Sequence, residues 1–168
     1  MASQISSVSL TADDIKRALA LEPHPMEGGF FRETYRSKLR IPGADRNAST
    51  AIYYLLTPDT FSALHRLPGD EIFHFYLGDT VEMLQLWPGG SVRHVVIGGD
   101  LTRGLQPQVV VPGGVWQGCR LRSGGRFALM GCTMAPGFDA ADFELGARDA
   151  LISAYPSARD EIVSLTRE

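Results

Sequence analysis

Two of the four histidines in this sequence fall near one stretch, Ser62 to Gly78, which reads SALHRLPGDEIFHFYLG. After Pro68-Gly69 the residues alternate. Glu71, Phe73, Phe75 and Leu77 share one face of a predicted strand, and Ile72, His74 and Tyr76 share the other. If the phenylalanine face is a core, Glu71 is buried, and a buried carboxylate needs a partner or keeps its proton. His65 lies on the strand before, joined through the Pro-Gly turn, so His65 and Glu71 are expected as neighbours across a ladder. An imidazole beside a carboxylate suits general acid–base chemistry: the ring moves a proton, and the carboxylate holds its tautomer and stabilises the imidazolium. With a second histidine the same pair would make a metal site. Alternation turns His74 away from Glu71, so it reads as a surface or interface residue. His24 and His94 read as loop and hairpin residues without chemistry. Downstream, VPGGVWQGC (Val111–Cys119) sets a turn before Trp116 and Gln117, a ring and a neutral hydrogen-bonding group suited to a ligand.

Many short strands must position these residues. The 168 residues favour one domain with a real core, and the 18 glycines and 10 prolines are scattered as turns between strands. A net charge of −3 without Lys/Arg clusters argues against nucleic acid. No apolar run approaches a membrane span, and Met1–Leu10 lacks a secretory layout. Cys119 and Cys132 do not make a disulfide framework. A soluble, cytoplasmic protein is expected.

In chain order, Thr11 is expected to cap a short amphipathic helix that Pro23 and Pro25 end. Phe30–Arg36 reads as a strand charged on both faces, so an edge or a polar pairing surface. Strands follow over Ser49–Leu56, Thr60–Leu67, the Glu71 segment, Thr80–Trp87, Ser91–Ile97, Gln108–Val111, Val115–Leu121 and Arg126–Met134. Arg148–Ala154 and Ser157–Leu165 read as helices split by Pro156. No phosphate loop, Gly-x-Ser-x-Gly elbow or Cys-x-x-Cys pair is present.

The spacing resembles the cupins. Glu71-x6-Gly78 matches the end of their first motif, with His65 at its first histidine, and Pro112-x-Gly114-x2-Gln117 matches the centre of the second. The set PHPMEGGFFRETYRS, IYYLL, HRLPGDEIFHFYLGD, VPGGVWQG and APGFDAADFEL, from about Leu21 to Tyr155, resembles small single-domain cupins of largely uncharacterised function in the RmlC-like superfamily. That resemblance implies an all-β jelly roll with a short N-terminal helix and C-terminal helices, usually dimeric, with a pocket in the barrel. One domain is expected over residues 1–168, with a flexible tail at 1–10, a core at about 21–138 and a helical end at 139–168.

Metal-binding cupins offer three histidines and a glutamate. Here Leu67 and Gln117 stand at two of the histidine positions, so no cofactor is expected, with a divalent metal held by His65, Glu71 and Gln117 as the alternative the resemblance implies. Gly28–Tyr35 (GGFFRETY) also looks similar to an early strand of metal-free nucleotide-sugar epimerases, whose base matches His65. Their acidic tyrosine has no counterpart here, where Met130 is near the matching place. The expected pocket has walls of Tyr53, Phe73, Phe75, Trp116 and Met130. Its polar groups are His65, Glu71 and Gln117, with Arg32 and Glu33 at the rim. The expected function is binding a small metabolite such as a sugar or nucleotide sugar. The alternatives are an isomerase or epimerase with His65 as base, and a metal-dependent enzyme. A small-molecule ligand and a homodimer are the expected partners, with no nucleic acid and no membrane.

Overall fold

The computed structural model describes residues 10–167, and the expected tail over residues 1–9 lies outside them. Among these residues, α1 (Ala12–Leu19) precedes β1 (Glu22–Pro23), β2 (Phe30–Arg36), β3 (Thr50–Leu56), β4 (Phe61–Arg66), β5 (Glu71–Gly78), β6 (Val81–Leu86), β7 (Val92–Ile97), β8 (Gln108–Val111), β9 (Trp116–Leu121), β10 (Ala128–Met134) and β11 (Glu144–Leu145). α2 (Arg148–Ala154) and α3 (Arg159–Ser164) follow. The strands form two antiparallel sheets. One has the order β1-β2-β3-β10-β5-β8, the other β11-β4-β9-β6-β7. The all-β jelly roll with a short N-terminal helix and C-terminal helices is therefore the observed architecture. No helix of the described residues is long and apolar enough to cross a membrane.

Alternation builds the core. Tyr54, Phe73 and Met130 from the first sheet meet Val81, Met83 and Cys119 from the second, all buried between the layers. The outer faces are covered too. Ile15 of α1 packs with Leu55, Phe127 and Leu129 behind the first sheet. Leu151, Tyr155 and Ile162 pack on Leu64, Leu84 and Leu86 behind the second. The Thr11 hydroxyl accepts from the Asp14 amide at the start of α1. The helix ends at Ala20, whose φ of 49° is left-handed, rather than at Pro23, which pairs with Phe30 in β1.

β4 and β5 do not pair. The Pro68-Gly69 turn carries the chain from one sheet to the other, so His65 and Glu71 approach across the sandwich and not along a ladder. His65 instead pairs with Gln117, and Gln117 with Gln85, in one row of the second sheet.

Three bulges set which side chains point inward. In β2, Glu33 opposes Ile52 and Tyr35 opposes Ala51, leaving Thr34 as the extra residue. In β4, Ser62 opposes Cys119 and His65 opposes Gln117, so Ala63 and Leu64 stand against Gly118 alone. In β5, Phe75 opposes Met130 and Leu77 opposes Leu129, so Tyr76 is extra and Leu77 turns outward, away from the face it was expected to share. A bulge changes the phase of the pleat, so residues three apart come to share a face.

Candidate functional site

The bulge in β4 puts Ser62 and His65 on the inner face and turns the Ala63 carbonyl back toward the ring. His65 Nδ1 donates to that carbonyl at 2.8 Å. The neutral ring therefore has its lone pair on Nε2, and Nε2 lies 3.1 Å from Glu27 Oε2. One proton occupies this contact. Burial pushes the Glu27 carboxyl up to about 7, and burial pushes the His65 imidazole down. Both shifts favour a carboxyl O–H donating to Nε2 over an ion pair. The Ser62 hydroxyl also donates to Glu27 Oε2, at 3.2 Å. Phe143 stacks on the His65 ring, with centroids 4.9 Å apart and planes 17° off parallel.

Glu71 reaches in from the opposite sheet. It accepts from Gln117 Nε2 at 2.6 Å and from the Cys132 thiol. Burial, then the nearby Glu27 charge, pushes its carboxyl up to about 7. His24 completes the group. Its Nδ1 accepts from the Met26 and Glu27 amides at 3.3 and 3.2 Å, so the ring proton sits on Nε2, 3.9 Å from Glu27 Oε1. Burial first, then His65 and Arg167, lowers this imidazole to about 4.

These four groups border a cavity of about 330 Å³ between the sheets. Phe31, Phe138 and Phe143 supply rings, and Glu33 and Arg36 stand in its wall. The bulge at Thr34 lets those last two share the inner face, where Arg36 holds Glu33 through two bonds of 2.9 and 2.8 Å. Residues 138–143 lie over the cavity. They are fixed by Arg36 to the Phe138 carbonyl at 3.1 Å, by the Phe138 amide to Thr50 at 2.9 Å, and by the Arg46–Asp142 ion pair.

His65, Glu71 and Glu33 thus line one cavity. Gln117 is buried behind Glu71. Phe73, Phe75 and Met130 pack in the core between the sheets instead of forming cavity walls. Arg32, Tyr53 and Trp116 face away from it. Arg32 is exposed, with its guanidinium 5.9 Å from the Tyr53 ring, and Tyr53 meets Tyr76 edge-on at the back of the first sheet. Trp116 packs under the C-terminal helices with Arg66 over its ring at 4.5 Å. Alternation groups residues by face, but it does not say which face meets the cavity. His74 bonds Thr133 and Gln108 and does not line the cavity. Sequence reasoning missed Glu27, His24, Phe31, Arg36 and Phe143.

Comparison with known proteins places this geometry. A family model described as Cupin superfamily (DUF985) matches residues 13–146. The crystal structure of protein SO0799 from Shewanella oneidensis is 36% identical, covers 95% of this chain and 99% of its own, and superposes with a TM-score of 0.88. A hypothetical protein from Leishmania major is 32% identical, with coverages of 95% and 100% and the same TM-score of 0.88. The uncharacterized protein YML079W of Saccharomyces cerevisiae is 33% identical over 132 residues, which span 69% of this chain and 66% of that protein. None of these names states an activity.

A metal centre of the cupin type needs three or four converging donors. Here Leu67 lines the cavity, His65 Nε2 is taken up by Glu27, and among the described residues no three His, Cys, Asp or Glu side chains are grouped to hold an ion. The residues present do not fit such a metal.

Proposed function

This chain belongs to the cupin family described as Cupin superfamily (DUF985), and from that premise we propose that it binds a small hydroxylated metabolite, of about monosaccharide size, in a metal-free cavity. One observation carries the reading. A phenyl-lined hollow of about 330 Å³ holds a convergent group of buried polar side chains, and binding cavities typically combine apolar walls with a few placed polar groups. His65 would accept at Nε2 from a ligand hydroxyl that displaces its contact with Glu27. Native mass spectrometry of the wild type and of His65→Asn, expressed identically, tests this. The wild type is expected to carry a small molecule, and the variant, folded by circular dichroism, to hold it about tenfold less. Equal occupancy in the two proteins would sink the assignment.

A second reading, proton transfer of the isomerase or epimerase type, is favoured by Glu27 and Glu71, which both titrate at about 7 beside His65. His65 Nε2, freed of its contact with Glu27, would take the substrate proton from carbon, and the Glu71 carboxyl would give its own proton back to that carbon. This reading expects solvent deuterium to appear at carbon in a bound sugar with the wild type and not with His65→Asn. No exchange in either leaves binding as the whole function.

A further inference from the structure

We infer that the ligand of this cavity carries a positive charge, and that it is a small organic amine rather than a phosphate- or carboxylate-bearing molecule, because four carboxylates line the cavity against one guanidinium. The inference rests on the reading that this cavity is the binding site. The carboxylates are Glu27, Glu33, Glu71 and Asp139, and the guanidinium is Arg36. Arg36 is already committed to Glu33 through both ends of its fork. The imidazoles of His24 and His65 are held neutral by burial. Arg167 is the other cation near Glu27, but its nitrogens donate to the Met26 and Glu27 carbonyls at 3.0 and 2.7 Å.

Glu27 and Glu71 are each only 8% exposed, and among the described residues no Lys or Arg forms an ion pair with either carboxyl group. A cleft lined by one sign of charge concentrates ligands of the other sign, most strongly where water is excluded. A phosphate would meet repulsion here, which disfavours nucleotide sugars. An ammonium would displace the proton that each of these two buried acids holds and pair with the carboxylate left behind. Phe31, Phe138 and Phe143 add ring faces that attract cations. One further group lacks a partner: Gln117 Oε1, on the same amide that holds Glu71, is buried without a donor in reach. A water linking it to an N–H of the ligand would satisfy it. The charge is assigned to an organic cation because the donors do not assemble as a metal site.

Benzylamine, benzyl alcohol and benzoate offer one ring with a cation, a neutral group and an anion. Their binding is measured by titration calorimetry and thermal shift on the full chain at pH 7.5 and fixed ionic strength, with manganese(II) chloride as a fourth arm. Benzylamine is expected to bind at least about tenfold tighter than benzyl alcohol, with benzoate weakest. Glu71→Gln and Glu27→Gln, which keep the shape of the side chain, are each expected to reduce that preference about tenfold. Three equal probes, including three that fail to bind, overturn the inference, as does a larger shift from manganese. If benzyl alcohol or benzoate binds best and His65→Asn abolishes it, the cationic ligand is wrong and the cavity reading stands. A ligand held equally by wild type and His65→Asn in the mass-spectrometric test removes the cavity reading itself.

Discussion

Glu27→Gln is expected to stabilise the protein at pH 8 by about 2 kcal/mol and to change its stability little at pH 5. Folding raises the Glu27 carboxyl from an ordinary 4.5 to about 7, chiefly by burial. Between those values the folded chain holds a proton that the unfolded chain has lost. Stability contributed by this group therefore falls as pH rises from about 4.5, and the full loss is in place above about 7. The whole shift corresponds to about 3 kcal/mol, part of it shared with the neighbouring Glu71. Glutamine is uncharged at every pH and resembles the protonated acid. With its amide nitrogen where Oε2 stands now, it can donate one N–H to His65 Nε2 and the other to the Ser62 oxygen, the two partners of that atom in Glu27. The buried imidazoles of His24 and His65 run the other way, with depressed values and stability lost as pH falls. They are present in both proteins and largely cancel in the difference. Urea unfolding of both proteins at the two pH values measures it. A variant less stable than the wild type by the same margin at pH 5 and pH 8 would contradict the assignment of Glu27 as a buried acid.

Gly113→Ala is expected to cost about 3 kcal/mol or more. A Cβ at Gly113 would sit inside contact distance of the Pro68 carbonyl oxygen and 2.8 Å from its carbon, both rigid backbone. The two turns involved are clasped: the Gly113 amide donates to Asp70 at 2.9 Å and the Gly114 amide to the Leu67 carbonyl at 2.8 Å. One turn carries the chain from β4 into β5, and the other from β8 into β9, each passing from sheet to sheet. Spreading them shifts Glu71 relative to Gln117. Gly114→Ala is the control. Its φ of 83° strains an L residue, but nothing lies within 4 Å of the added carbon, so about 1 kcal/mol is expected. Equal urea midpoints for the two variants would show that close approach at Gly113 does not hold the clasp.

His65 and Glu71 are legible in the sequence because a Pro-Gly turn separates two β-rich runs, and a charged residue among phenylalanines marks a conflict that folding must resolve. An all-β sandwich or barrel is legible from the number and spacing of such runs, and the jelly roll from the resemblance of the motifs to the cupins. Glu27 is not. It sits in an irregular bend before Gly28-Gly29, where no period says which way a side chain points, and its partner His65 is remote in sequence. His24 is hidden by its place in a Pro-His-Pro loop. Tyr53 and Tyr54 show a second limit. Both are strand formers one residue apart, yet Tyr54 enters the inner core and Tyr53 the outer cluster, and only the covering by α1 distinguishes two apolar faces. The expected alternation of Phe75 with Leu77 fails at Tyr76, whose ring lies over Gly131 in place of a side chain.

Because Thr34 and one residue between Ser62 and His65 are surplus to their ladders, the composition of the cavity wall depends on residue count as much as on residue type. Deleting Thr34 with β2 still paired to β3 would remove the bulge and leave Glu33 opposite Ile52 and Arg36 opposite Thr50, both still on the inner face. Among related sequences, a one-position gap at a bulge would therefore keep the wall as it is, whereas a gap at a paired position of either strand would exchange a wall residue for its neighbour.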